Sequence, residues 1–142
     1  ASLFYIGITA GRGLCGFVNL RLSDDGMIRL GQGVVLVGLA LLFIPGSSLA
    51  LYIGLGLVGL GCAPIYPSII HSTPEHFGAS RSQSMIGLEM ACAYVGTTAA
   101  PPLFGLIANH LSIALFPAYL LAFLALMFVC HELLVKRAGA AK

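Results

Sequence analysis

LGQGVVLVGLALLFIPGSSLALYIGLGLVGLGCAPIYPSII, residues 30–70, contains no Asp, Glu, Lys or Arg. A helix needs roughly 20 apolar residues to cross the hydrocarbon core of a bilayer. The stretch is about twice that length, and Pro45-Gly46-Ser47-Ser48 in its middle is a turn signal. It reads as two membrane spans joined by a short turn. Residues 90–130 repeat the pattern, interrupted only by His110, with Asn109-His110-Leu111-Ser112 as the turn.

Extended outward, this reading predicts an all-α, polytopic membrane protein. A single transmembrane domain, 1–142, holds five spans at 2–20, 28–44, 49–71, 82–109 and 113–134. The connections are 21–27, 45–48, 72–81 and 110–112, with a short tail from 135. Composition agrees: 58% of residues are hydrophobic, 8% are charged, and mean hydropathy is +0.99. Soluble domains carry about 25% charged residues, so a mainly water-facing surface is excluded. A net charge of +2 without a basic run before the tail gives no footing for a nucleic-acid partner. Cys15, Cys62, Cys92 and Cys130 stand singly in apolar sequence and read as small hydrophobes, with no disulfide or zinc framework. Apolar sequence starts at Ala1 without a basic leader. The chain is expected to be part of a longer protein.

Orientation follows the positive charges. Arg21, Arg29, Arg81, Lys136, Arg137 and Lys142 fall on one side of a five-span arrangement, and the two opposite turns have no Lys or Arg. That side is predicted to be cytoplasmic, with the C-terminus inside, in the plasma or inner membrane of the cell. Gly7 and Gly11, followed by Gly13 and Gly16, and then Gly54, Gly56, Gly59 and Gly61, are spaced for close helix contact.

Familiar motifs fail on context. Gly54-Leu55-Gly56-Leu57-Val58-Gly59 matches the dinucleotide pattern but sits inside an apolar span, where no strand precedes it. His71-Ser72-Thr73-Pro74-Glu75-His76 has one residue too many for a zinc-binding repeat, and Pro74 is expected to stop a helix from aligning its imidazoles. His131-Glu132 lacks a second histidine at 135. No catalytic set, metal site or cofactor follows, and an enzyme is not expected.

The polar exceptions carry the functional reading. Arg12 and Glu89 lie inside spans, where a charge at the bilayer centre costs at least about 2.5–3.5 kcal/mol. Arg12 is nine residues before Arg21 and Glu89 eight after Arg81, so their depths match. They are expected either to pair or to act separately, Glu89 toward a wet cavity and Arg12 toward Glu75 or released carbonyls. Pro64 and Pro67 bracket Tyr66, and Pro101 and Pro102 follow Tyr94. Each proline removes a backbone donor, and these are expected to break their helices. Broken helices at membrane depth often line a cavity, and a packing kink is the plainer alternative. Arg21, Asp24, Asp25 and Arg29, with Glu75 and Arg81, read as a solvated cytoplasmic loop or as a charged latch at a moving gate.

Gly11-Arg12, Gly16, Arg21, Asp24 and Gly26 resemble the charged loop between helices eight and nine of the major facilitator superfamily. Gly59-Leu60-Gly61-Cys62-Ala63-Pro64-Ile65-Tyr66-Pro67 is similar to helix ten of its fucose-permease-like sugar transporters. Pro74-Glu75-His76-Phe77-Gly78, Ile86-Gly87-Leu88-Glu89-Met90-Ala91 and Ala93-Tyr94-Val95-Gly96 resemble their tenth loop and eleventh helix. The resemblance implies helices eight to twelve of a twelve-helix fold, with the N-terminal helices of the same polypeptide missing. It implies a secondary transporter moving a small sugar-like solute by alternating access. Glu stands at 89 where the subgroup implies Gln, which points to proton coupling. Glu89, Tyr66, Tyr94 and Arg12 are the expected binding or coupling residues. A small membrane scaffold without transport activity, contacting only lipid and partner helices, is the rival reading.

Overall fold

The structure, a computed structural model, describes residues 2–140. Lys142, used above for orientation, lies outside the described residues, as does Ala1. The elements are α1 (Ser2–Val18), α2 (Asp24–Leu42), α3 (Ser48–Phe77), α4 (Ala79–His110), a 3-10 turn (Ile113–Leu115) and α5 (Phe116–Ala140). No strand occurs among the described residues. α2, α3, α4 and the final helical segment are each long and apolar enough to cross a membrane. α1 has 17 residues, about 25 Å of helix, because Asn19–Arg21 turns away before the expected end at Leu20.

Local chemistry sets the boundaries. Ser23 is extended and its hydroxyl accepts from Gly26 N–H at 3.4 Å, while Asp24 and Asp25 occupy the first turn of α2, where carboxylates favour the helix dipole. Gly46 takes φ +86°, which turns the chain between α2 and α3. Ser47 then caps α3 by accepting from Ala50 N–H at 3.3 Å. At the far end of the α4–α5 turn, Ser112 accepts from Ala114 N–H at 3.1 Å.

The expected connection at 72–81 is largely helix. α3 continues through Pro74 to Phe77, and the chain reverses at Gly78, whose φ is +80°. A proline costs one helical bond and leaves its neighbours' bonds in place. Gly78 N–H closes the last turn on the Pro74 carbonyl at 3.0 Å. The same reasoning corrects the expected helix breaks. α3 is continuous through Pro64 and Pro67, and α4 through Pro101 and Pro102, as membrane helices tolerate when neighbours re-satisfy the backbone. α5 likewise runs six residues beyond the expected end at 134.

The chain forms two compact units, Ala1–Ser72 and Thr73–Lys142. In the first, α3 is the central helix and glycines set its contacts. A Cβ on Gly7 would meet the Gly56 carbonyl, and one on Gly11 would meet Ala63 and the Leu60 carbonyl, so α1 lies directly on α3. On the other face, a Cβ on Gly31 would stand 2.6 Å from the Gly61 carbonyl and one on Gly38 2.9 Å from that of Gly54. Small residues give this approach where lipid supplies no hydrophobic drive between helices. Gly13 and Gly16, also expected at contacts, face open space. Met27, Ile28, Val35, Leu39, Val58 and Ile65 are buried.

In the second unit, α4 and α5 meet through aromatic rings. Phe104 packs on Phe116 and Tyr119 with centroids 5.3 and 5.2 Å apart, and Tyr119 packs on Phe123 at 4.9 Å. The Tyr119 hydroxyl donates to the Ala100 carbonyl at 2.9 Å, beside Pro101-Pro102. This keeps the phenol satisfied in apolar surroundings.

Candidate functional site

Arg12 and Cys15 share one face of α1, and Asn19 follows just past its end, its N–H on the Cys15 carbonyl at 2.8 Å. Ala63, Pro64, Pro67, Ser68 and His71 share one face of α3 in the same way. With Asp24 and Met27 from α2 they enclose a recess of about 340 Å³ in the first unit. Two of the recess groups are bonded to each other: His71 Nδ1 lies 2.6 Å from an Asp24 carboxylate oxygen. The Asp24 side chain is 10% exposed and that of His71 75%. Exposed ion pairs contribute about 0–1 kcal/mol. His71→Ala is therefore expected to lower stability by less than about 1 kcal/mol in a thermal melt. Among the described residues, the Arg12 side chain makes no ion pair or hydrogen bond, and the Asn19 and Ser68 side chains have no hydrogen-bond partner.

Glu89 is half-buried on α4, about 15 Å along the helix from its start. Its partner is Thr73, whose hydroxyl lies 2.9 Å from both carboxylate oxygens. Thr73 is only 1% exposed. An ionised Glu89 accepts the Thr73 O–H, and a protonated one donates to the Thr73 oxygen. Tyr94, five residues further on, is exposed and borders a shallow apolar groove of about 370 Å³ with Val95, Thr98 and Ala99. Pro101 and Pro102 take the helical donors from the carbonyls of Thr97 and Thr98. Tyr66 is exposed on α3 and does not line the first-unit recess.

A family model described as Major Facilitator Superfamily matches residues 1–141. The chain belongs to the major facilitator superfamily. Comparison with curated proteins and with solved structures gives no match. The family is one of transporters, and the chain's apolar helices make it a multi-pass membrane protein.

Within this major facilitator chain, the charged loop residues take different surroundings. Asp24 is held by His71, while Arg21, Glu75 and Arg81 are exposed. Asp25 is half-buried and Arg29 exposed, and each is engaged. Sequence reading missed three polar groups. His71 was legible only as a failed metal motif, and Thr73 was hidden in an expected loop. Gln32 is 4% exposed, and neither atom of its carboxamide has a hydrogen-bond partner among the described residues. Among those residues no group of three or more His, Cys, Asp or Glu gathers to hold a metal ion.

Proposed function

We propose that this chain is the C-terminal part of a secondary transporter, helices eight to twelve, whose preceding helices belong to the same polypeptide. It moves a small polar, sugar-like solute across the plasma or inner membrane by alternating access, coupled to an ion, with its C-terminus in the cytoplasm. The observation that carries the coupling is the Glu89–Thr73 pair: an intramembrane carboxyl group whose bonded partner is a neutral hydroxyl. Such a group exchanges a proton without breaking an ion pair. Tyr66 and Tyr94 offer hydroxyls and ring faces to a polyol, and their exposure on α3 and α4 supports that role. Arg21, Asp24, Asp25 and Arg29, with His71 on Asp24, are gate residues of the first unit, and Glu75 and Arg81 those of the second.

A membrane scaffold needs its polar residues against partner helices and not against water, and the two readings separate on access. In a cysteine-free background of the full-length protein, Tyr66→Cys and Tyr94→Cys are expected to react with a membrane-impermeant thiol reagent. Added solute is expected to slow the reaction. Complete protection at both positions, with or without solute, would place them against protein or lipid and favour the scaffold.

A further inference from the structure

The first-unit recess contains more polar capacity than the fold uses. Ser68 is 94% buried, yet its hydroxyl has no hydrogen-bond partner among the described residues. Arg12 brings five N–H donors with no carboxylate or carbonyl to receive them, and Asn19 adds a carboxamide. The one acidic side chain of the recess, Asp24, is already taken by His71 at 2.6 Å. Arg12 is therefore the charged side chain of the recess with no bonded partner among the described residues. A guanidinium presents its donors as a fork that matches a carboxylate in two parallel bonds. The recess volume, about 340 Å³, lies at the lower end of the range for ligand sites, about 300–1,000 Å³.

We infer that this recess binds the carboxylate of a small acidic solute, with Arg12 taking the carboxylate and Ser68 and Asn19 bonding its neighbouring hydroxyls. The inference rests on the transport reading above and narrows its solute from sugar-like to a sugar acid. Ala63, Pro64 and Pro67 supply the apolar wall against which the carbon skeleton lies.

Equilibrium binding to the purified full-length protein tests this, with D-glucuronate, D-glucose and L-lactate as probes. D-Glucose has the glucuronate ring without the carboxylate, and lactate has a carboxylate without the ring. Glucuronate is expected to bind and glucose to bind at least about tenfold more weakly, the value of one charged hydrogen-bond set. Arg12→Gln is expected to weaken glucuronate at least about tenfold, with Arg12→Lys between the two. Ser68→Ala, which keeps all charges, is expected to weaken it about twofold to tenfold, and it decides the matter should the Arg12 variants not fold. Arg12-dependent binding of lactate with neither sugar bound would support the carboxylate site and sink the sugar reading. Glucose binding as tight as glucuronate, both indifferent to Arg12→Gln and Ser68→Ala, would overturn the carboxylate site and leave sugar transport standing. No binding of any probe would sink both.

Discussion

Glu89→Gln in the full-length protein is expected to abolish the dependence of solute uptake on external pH. Glutamine fills nearly the same space and keeps an oxygen to accept the Thr73 hydroxyl, which stands 2.9 Å from the carboxylate. The fold should therefore persist. What disappears is the proton. Uptake driven by an acid outside is expected to fall at least about tenfold, because a missing proton-transfer step typically costs 10²–10⁴-fold. Exchange of labelled for unlabelled solute is expected to continue, since it needs reorientation of the loaded carrier without net proton movement. Thr73→Val is expected to show the same direction more weakly. It leaves Glu89 in place and removes a hydroxyl that is 1% exposed. Loss of exchange and of uptake together in Glu89→Gln would assign the carboxyl group to solute binding or to folding.

Gly61→Leu is expected to separate α2 from α3. Even the first added atom, a Cβ, would stand 2.7 Å from the Gly31 carbonyl, and 2.7 Å from the backbone nitrogen and a methyl of Val35. Backbone cannot yield as a flexible side chain can, so α2 must move as a body. Overpacking in a close-packed core costs about 1–3 kcal/mol, and four added carbons on a backbone contact belong at the upper end. Gly33→Leu is the control, because nothing lies within 4 Å of its added Cβ. In detergent, a melt followed by loss of monodisperse protein should show Gly61→Leu well below the parent and Gly33→Leu close to it. Equal melting of the two variants would mean that α2 and α3 do not meet on this glycine face.

The long apolar helices α2 to α5 were legible because charge is absent over two long windows, with Pro45-Gly46 marking the first turn; Asn109 and His110, expected in the second turn, are still helix. The Gly7–Gly11 pair was legible by spacing, but spacing could not show which glycines have a neighbour: Gly13 and Gly16 face open space. The end of α3 was misplaced because Pro74 was weighed as a stop. A proline removes one bond, whereas Gly78, at φ +80°, redirects the chain. That misplacement hid Thr73. With α3 ended at 71, the hydroxyl facing Glu89 lay in a loop, and a contact across sixteen residues and a helix reversal leaves no periodic trace. Arg12 and Glu89 were legible as charges within apolar helices, where a charge is costly if the helix crosses lipid. Their partners were not. The carboxyl group has a hydroxyl, and the guanidinium opens onto a recess assembled from three helices.

The central claim is transport by a proton-coupled carrier, and uptake into sealed vesicles tests it most directly. The full-length protein is reconstituted in proteoliposomes, and labelled D-glucuronate, then labelled D-glucose, is added outside under an imposed gradient, acid outside. Accumulation of one of them above its external concentration, collapsing when a protonophore removes the gradient, is the result predicted. Uptake of both no faster than in protein-free vesicles, by protein shown to be folded, would contradict the account and return the chain to a scaffold role.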